Sequence, residues 1–196
     1  MNLTKLFEAQ RVLDERIEKE HPRKNGESRI SLKVLALLVE IGETANFWRG
    51  FKFWSKNQNP VTTSISPIFG TNVDGSQHQS FREYNPLLEE LVDCLHFILS
   101  IGNELNIQDR FSETVNFNIG ARTKITHPVD NFKKVFRSAA ALNSEFVDER
   151  YLKTIYMDLF SEFTTLVDSL GFTEEQLETA YYEKNKINHE RQDGGY

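Results

Sequence analysis

LVEIGETANFW, residues 38–48, carries two acidic side chains, Glu40 and Glu43, three positions apart in an otherwise apolar run. Side chains at that spacing stand one turn apart on one face of an α-helix. LLEELVDCLHF, residues 87–97, repeats the layout with Glu90 and Asp93. At about 100° per residue, the first helix has an apolar stripe of Val34, Leu38, Ile41, Ala45 and Trp48. Both glutamates lie opposite it, and Phe47, Phe51 and Trp54 fall on their side. In the second helix Leu88, Leu91, Leu95 and Ile98 make the stripe, while Glu90 and Asp93 lie opposite with Phe97 beside them.

A lone acidic pair at this spacing is usually a solvated face. A helix with an apolar stripe on one side and carboxylates plus large aromatics on the other is instead expected to be covered on both sides. Covered carboxylates demand a counter-charge, because an unpaired ionised group in a low-dielectric site is very costly. Arginine or lysine could supply it, and so could a divalent cation. Four carboxylates on two facing helices form an all-oxygen set suited to Mg²⁺, which takes water and phosphate oxygens at its remaining positions. Such a cation neutralises phosphate charge and lowers the pKa of bound water. A carboxylate not committed to it can accept the proton of an attacking water. The reaction class this implies is hydrolysis of a phosphoanhydride, with an aromatic slot alongside for a flat ring.

Outward from these two segments the pattern stays helical. Leu6, Leu13 and Ile17 recur at helical spacing in residues 3–20, and HPRKNGES (21–28) then breaks the pattern. The second helix is expected from about Ser31 to Phe53. The stretch 57–84 is rich in Ser, Thr, Asn, Gly and Pro and reads as a long loop with room for a short hairpin at NVDGS. Asn85 and Pro86 suit the cap and first position of a third helix reaching about Leu105. Weaker helical segments are expected near 109–119 and 129–142. A strong amphipathic helix spans 148–170 and is closed by Gly171. TEEQ (173–176) is a capping box opening the last helix. No internal repeat and no alternation of strands with helices is visible, so the expected fold is an all-α helical bundle.

Composition narrows the chemistry. Hydrophobic residues make up 39% of the chain and charged residues 27%, which suits a globular protein. The net charge of −6 argues against a nucleic-acid partner. No apolar run reaches the ~20 residues of a membrane span. The N-terminal MNLTKLFEAQ lacks the basic-then-apolar order of a secretion signal. The single cysteine, Cys94, sits in an apolar pattern and suits a reducing, cytoplasmic compartment. There is no phosphate-loop, dinucleotide-binding, nucleophile-elbow or H-E-x-x-H motif. The five histidines lack zinc-ligand spacing, so any metal ligands should be oxygens.

E-x-x-E followed by E-x-x-D on a second helix resembles the all-α nucleoside triphosphate pyrophosphohydrolases, which include the MazG-like enzymes and the dimeric dUTPases. Four blocks are similar to the dimeric dUTPases in particular: LFEAQRVLDERI (6–17), GFKFWS (50–55), LVDCLHFILSIG (91–102) and YYEKNKINHERQDGGY (181–196). The resemblance implies an Mg²⁺-dependent, all-α homodimer, one domain over residues 1–196, that hydrolyses dUTP and dUDP to dUMP by attack at the β-phosphorus. It implies Glu40, Glu43, Glu90 and Asp93 as metal ligands, with Glu40 activating the water, although either residue of the first pair could serve. Phe97 matches the aromatic that stacks on uracil, and Gln10 the amide that reads its edge. A second amide usual three positions later is Leu13 here, so recognition must draw on other groups, Asp14 or backbone among them. Lys184, Asn188 and Arg191 match the motif that grips phosphates and sugar, and Tyr196 the residue that closes the site. Trp54 lies in a well-matched block and is expected at the substrate, whereas His96 and His189 are read as structural or as supports to the residues that touch the ligand. Between Glu43 and Glu90 lie 46 residues, longer than the superfamily's usual spacing. The 57–84 stretch is therefore expected to loop out as an insertion, serving as a lid, as a site for a protein partner, or as tolerated length. Two rival readings are a related pyrophosphohydrolase acting on another nucleotide such as dCTP, and a helical nucleotide-binding protein without catalysis.

Overall fold

The computed structural model describes residues 1–71, 74, 76–107, 127–142 and 148–194. Polar caps begin its helices. Asn2 accepts the Lys5 N–H at the start of α1 (Leu3–Glu20), and Ser28 accepts the Ser31 N–H at the start of α2 (Arg29–Trp48). Asn85 accepts the Leu88 N–H ahead of Pro86 at the start of α3 (Pro86–Glu104). α4 (Pro128–Ala141) and α5 (Glu149–Ser169) follow. The capping box at Thr173 and Gln176 opens α6 (Glu174–Asp193). Each cap satisfies an amide that the first helical turn leaves without an intrahelical acceptor. Gly171 takes the left-handed conformation, φ 86°, that ends α5 and turns the chain into α6.

α3 is the central element. It packs on α1, α2, α5 and α6, while α4 closes against α2 and α5. It is buried through Leu87, Leu91, Leu95, Ile98, Ile101 and Gly102. At Gly102 a Cβ would meet the rings of Tyr156 and Phe7, so only glycine lets α1 and α5 come this close to α3. Trp48 meets Phe132 with ring centroids 5.4 Å apart, joining α2 to α4. The fold is the all-α bundle expected, and no helix among the described residues is long and apolar enough to cross a membrane.

Two expectations change. The stretch read as a long loop holds a regular antiparallel hairpin, β1 (Ser64–Thr71) and β2 (Gln77–Tyr84), paired from Ser64↔Tyr84 to Thr71↔Gln77. Its strands carry many polar residues because both faces are solvated. Ile65 and Phe81 are each about two-thirds exposed, so no buried face imposes the alternation that marks a strand in sequence. The second change is the end of α2, at Trp48 rather than near Phe53. Arg49 adopts φ 64°, and its N–H returns to the Ala45 carbonyl. A Cβ at Gly50 would collide with the Trp48 indole, which folds back over it. Phe51 and Trp54 therefore leave the helix and do not share its glutamate face. The weak helical segment expected near 109–119 lies outside the described residues.

Candidate active site

α2 and α3 meet at a polar contact between apolar layers. Thr44 Oγ1 lies 3.5 Å from Cys94 Sγ, and Thr44 also donates to the Glu40 carbonyl one turn earlier. This contact sets the next turn of α2 beside Asp93 and Glu90 of α3. Glu40, Glu90 and Asp93 each offer a carboxylate oxygen, all within 4.8 Å of one another, and all three are partly buried. Glu43 is exposed and outside this group of three, yet near enough for its charge to act on Glu40 and Glu90.

Electrostatics at this cluster are frustrated. Burial, then the charges of Asp93, Glu40 and Glu43, push the Glu90 carboxyl up to about 8. Glu40 is raised for the same reasons, burial first and then Asp93 and Glu43. Burial also raises Asp93, against the pull of Lys184. Like charges this close cannot all ionise without a cation among them. An oxygen-only set of three clustered, partly buried carboxylates fits a hard divalent cation such as Mg²⁺. It does not suit a soft metal, which would look for sulfur or imidazole.

The cluster borders a cleft of about 490 Å³ between α1, α2, α3 and α6. Glu40 and Asp93 line it, together with Phe97, Gln10, Asn188 and Arg191. Four of the expected substrate-site residues, Phe97, Gln10, Asn188 and Arg191, thereby share the cleft with Glu40 and Asp93. Phe97 is half-buried on the cleft wall, one helical turn beyond Asp93. Asn188 and Arg191 share the α6 side, Arg191 Nη1 donating to Asn188 Oδ1 over 3.3 Å. Gln10 is buried, with its amide engaged on both sides. Lys184 does not line this cleft. Its Nζ donates to Asp93 Oδ2 at 2.7 Å and Glu89 Oε1 at 2.9 Å, so it is anchored behind the cluster. Trp54 is also absent from the cleft lining. It is largely exposed and stacks edge-on with Phe51 and Phe53. Tyr196 lies outside the described residues.

Sequence reasoning passed over Glu89, and it left His96 as structural or as a support to the residues of the site. Glu89 precedes Asp93 by four positions, the other spacing that puts two side chains on one helix face, and that signal was available. His96 is buried, stacked on Tyr181 with centroids 4.4 Å apart, and held neutral by burial, which pushes its imidazole down to about 3. Its role depends on α1 and α6 folding over α3, which no local pattern announces.

A search of curated proteins gives no match to the chain. A family model described as dUTPase matches residues 2–67 and 77–196, leaving out Met1 and residues 68–76 between the two matched segments. That match takes in both acidic pairs, the cleft residues of α1 and the whole of α6. With its all-α bundle and its carboxylates gathered on one cleft, this chain belongs to the dUTPase family, enzymes that hydrolyse dUTP.

Proposed function

We propose that the chain hydrolyses dUTP to dUMP and pyrophosphate, and dUDP to dUMP and phosphate, as a single catalytic domain over residues 1–196 that depends on Mg²⁺. The observation that carries this reading is the gathering of Glu40, Glu90 and Asp93 at the edge of a cleft that Glu40 and Asp93 line together with Phe97 and Arg191. Glu40, Glu90 and Asp93 would hold the cation, with Glu43 within electrostatic reach. Bound there, Mg²⁺ supplies neutralisation of phosphate charge and a lowered pKa for water. Glu40 takes the proton as water oxygen bonds to the β-phosphorus. The bond from that phosphorus to the oxygen bridging it to the α-phosphorus breaks, and the electron pair leaves with dUMP. Arg191 and Asn188 face the polyphosphate from α6, and Phe97 gives the base a ring to stack on. Lys184 acts from behind, fixing Asp93.

A homodimer is supported by α2, whose outer face exposes Leu32, Leu35 and Val39 at helical spacing beside the cleft, an apolar stripe that a second copy would cover. A reducing cytoplasmic compartment suits the buried thiol of Cys94. The hairpin is a candidate surface for a protein partner, because it projects Ile65, Ile68 and Phe81 into solvent.

A panel of dUTP, dUDP, dCTP, dTTP and UTP, with Mg²⁺ or with a chelator, tests the reading by pyrophosphate and phosphate release. dUTP should be turned over fastest, and only with the metal. Equal or faster hydrolysis of dCTP would sink the assignment of substrate. Absence of any metal-dependent turnover would favour a binding protein.

A further inference from the structure

The two strands of the hairpin differ at their outer edges. Pro67 has no N–H to give, so it must stand where the backbone nitrogen of β1 points away from β2. Its register partner is Phe81, and residues facing each other in an antiparallel pair share one bonding state. Pro67 and Phe81 therefore form a pair without ladder bonds, and that state alternates along both strands. It follows from the register that Gln77, Gln79, Phe81 and Glu83 turn their backbone groups away from β1. The edge of β1 is interrupted at Pro67. That of β2 presents its N–H and C=O groups without a break.

No third strand among the described residues pairs with the edge of β2, and the side chains of residues 77–81 and of Glu83 are exposed. Such an edge is a template for a further strand. The side chains on both faces of β2 also lack partners. Phe81 is largely exposed on the same face as Ile65 and Pro67, an apolar strip open to solvent. Arg82 points to the other face, where its guanidinium carbon lies 5.9 Å from the centroid of the Tyr84 ring. Neither Arg82 nor Glu83 has a counter-charge among the described residues.

We propose that the edge of β2 docks an extended segment of another protein, which joins the hairpin as a third, antiparallel strand. The proposal rests on the hairpin as a partner surface and not on the dUTP reading. What the segment would face sets its chemistry: an apolar residue opposite Phe81, an acidic one opposite Arg82 and a basic one opposite Glu83. Antiparallel addition orders these as basic, acidic, apolar from the N-terminal end. A second copy of this chain does not meet the requirement. When β2 pairs with itself about a two-fold axis, facing residues lie on the same side of the sheet. Arg82 and Glu83 are adjacent in the strand and so lie on opposite sides, which means that Arg82 never faces the glutamate of a copy.

The test uses a synthetic peptide, Thr-Lys-Glu-Val-Thr-Ile-Thr-Val, laid antiparallel to residues 77–84. Its Lys then faces Glu83, its Glu faces Arg82 and its first Val faces Phe81. In unaltered, ¹⁵N-labelled protein with excess peptide, the amides of Gln79, Phe81 and Glu83 should shift and gain protection from hydrogen exchange. Those of Ser80 and Arg82, already bonded to β1, should change little. A peptide with its Lys and Glu exchanged should bind about 10-fold more weakly, because both facing pairs become like-charged. Gln79→Pro removes an outward N–H and leaves the ladder to β1 intact, so it should abolish binding while dUTP turnover is unchanged. Absence of the alternating amide response would overturn the proposal, as would equal binding of the exchanged peptide or undiminished binding to Gln79→Pro. If the protein turned over no dUTP but bound the peptide in this pattern, the docking site would stand and the substrate assignment would fall.

Discussion

Lys184 Nζ sits 2.7 Å from Asp93 Oδ2 and 2.9 Å from Glu89 Oε1, with its side chain only 10% exposed. A lysine that sequence resemblance assigns to phosphate thus holds a carboxylate of the cluster from behind. Removing one partner of such a pair strands the other charges in a poorly solvated place. Lys184→Met should therefore cost about 2 kcal/mol of stability, read as a lower denaturant midpoint with an unchanged slope. Its kinetic effect should fall on kcat and on the Mg²⁺ concentration for half-activity. A change confined to KM for dUTP would return Lys184 to the phosphates.

The raised carboxyls predict how stability of the metal-free protein depends on pH. Glu90 keeps its proton up to about 8 in the folded state, whereas an ordinary glutamate loses it near 4.5. Between those values the unfolded chain binds fewer protons than the folded one, so stability falls as pH rises. Melting temperature in chelator should decline from pH 5 to pH 8. Added Mg²⁺ should restore most of the loss at pH 8 and little at pH 5, where protons compete for the same oxygens. A melting temperature equally raised by Mg²⁺ at both values would place the cation elsewhere.

Glu40→Gln keeps the shape of the side chain and removes its basicity. Turnover of dUTP with Mg²⁺ should drop by about 10²- to 10⁴-fold, the range for a general base. The metal-free variant should melt no lower than the parent at pH 8, because one of three crowded charges is gone. Pyrophosphate release and thermal melting check both halves. Activity retained in Glu40→Gln but lost in Glu43→Gln would move the base to the other residue of the pair.

The hairpin is paired mainly to itself, and its tip lies outside the dUTPase match. Its foot matters more, since Val61 accepts the Leu87 N–H and Asn85 caps α3. Replacing residues 67–81 with a two-residue turn should leave kcat and KM for dUTP within about twofold and the melting temperature nearly unchanged, as surface insertions cost little stability. A large loss of turnover would mean that the hairpin reaches the substrate.

Helices were legible in the sequence because their signals are local. Periodicity, the Asn85–Pro86 start, the Thr173 capping box and Gly171 each act within a few residues. The two acidic pairs were legible too, since a helix face is fixed by spacing alone. Beyond that reach, sequence failed in particular places. The hairpin was hidden because neither of its faces is buried. The end of α2 was missed because it depends on the Trp48 ring folding over Gly50.

Sequence by itself determined the bundle and put Glu40, Glu90 and Asp93 on faces that could meet. Tertiary structure alone decided that Lys184 serves Asp93 and that Gln10 is spent on His96, contacts that join residues 91 and 86 positions apart. The reason is physical. Backbone hydrogen bonds and spacing fix a helix from within, whereas the partner of a buried polar group is whichever donor or acceptor packing brings within about 3 Å. That choice belongs to the way α1, α3 and α6 come together.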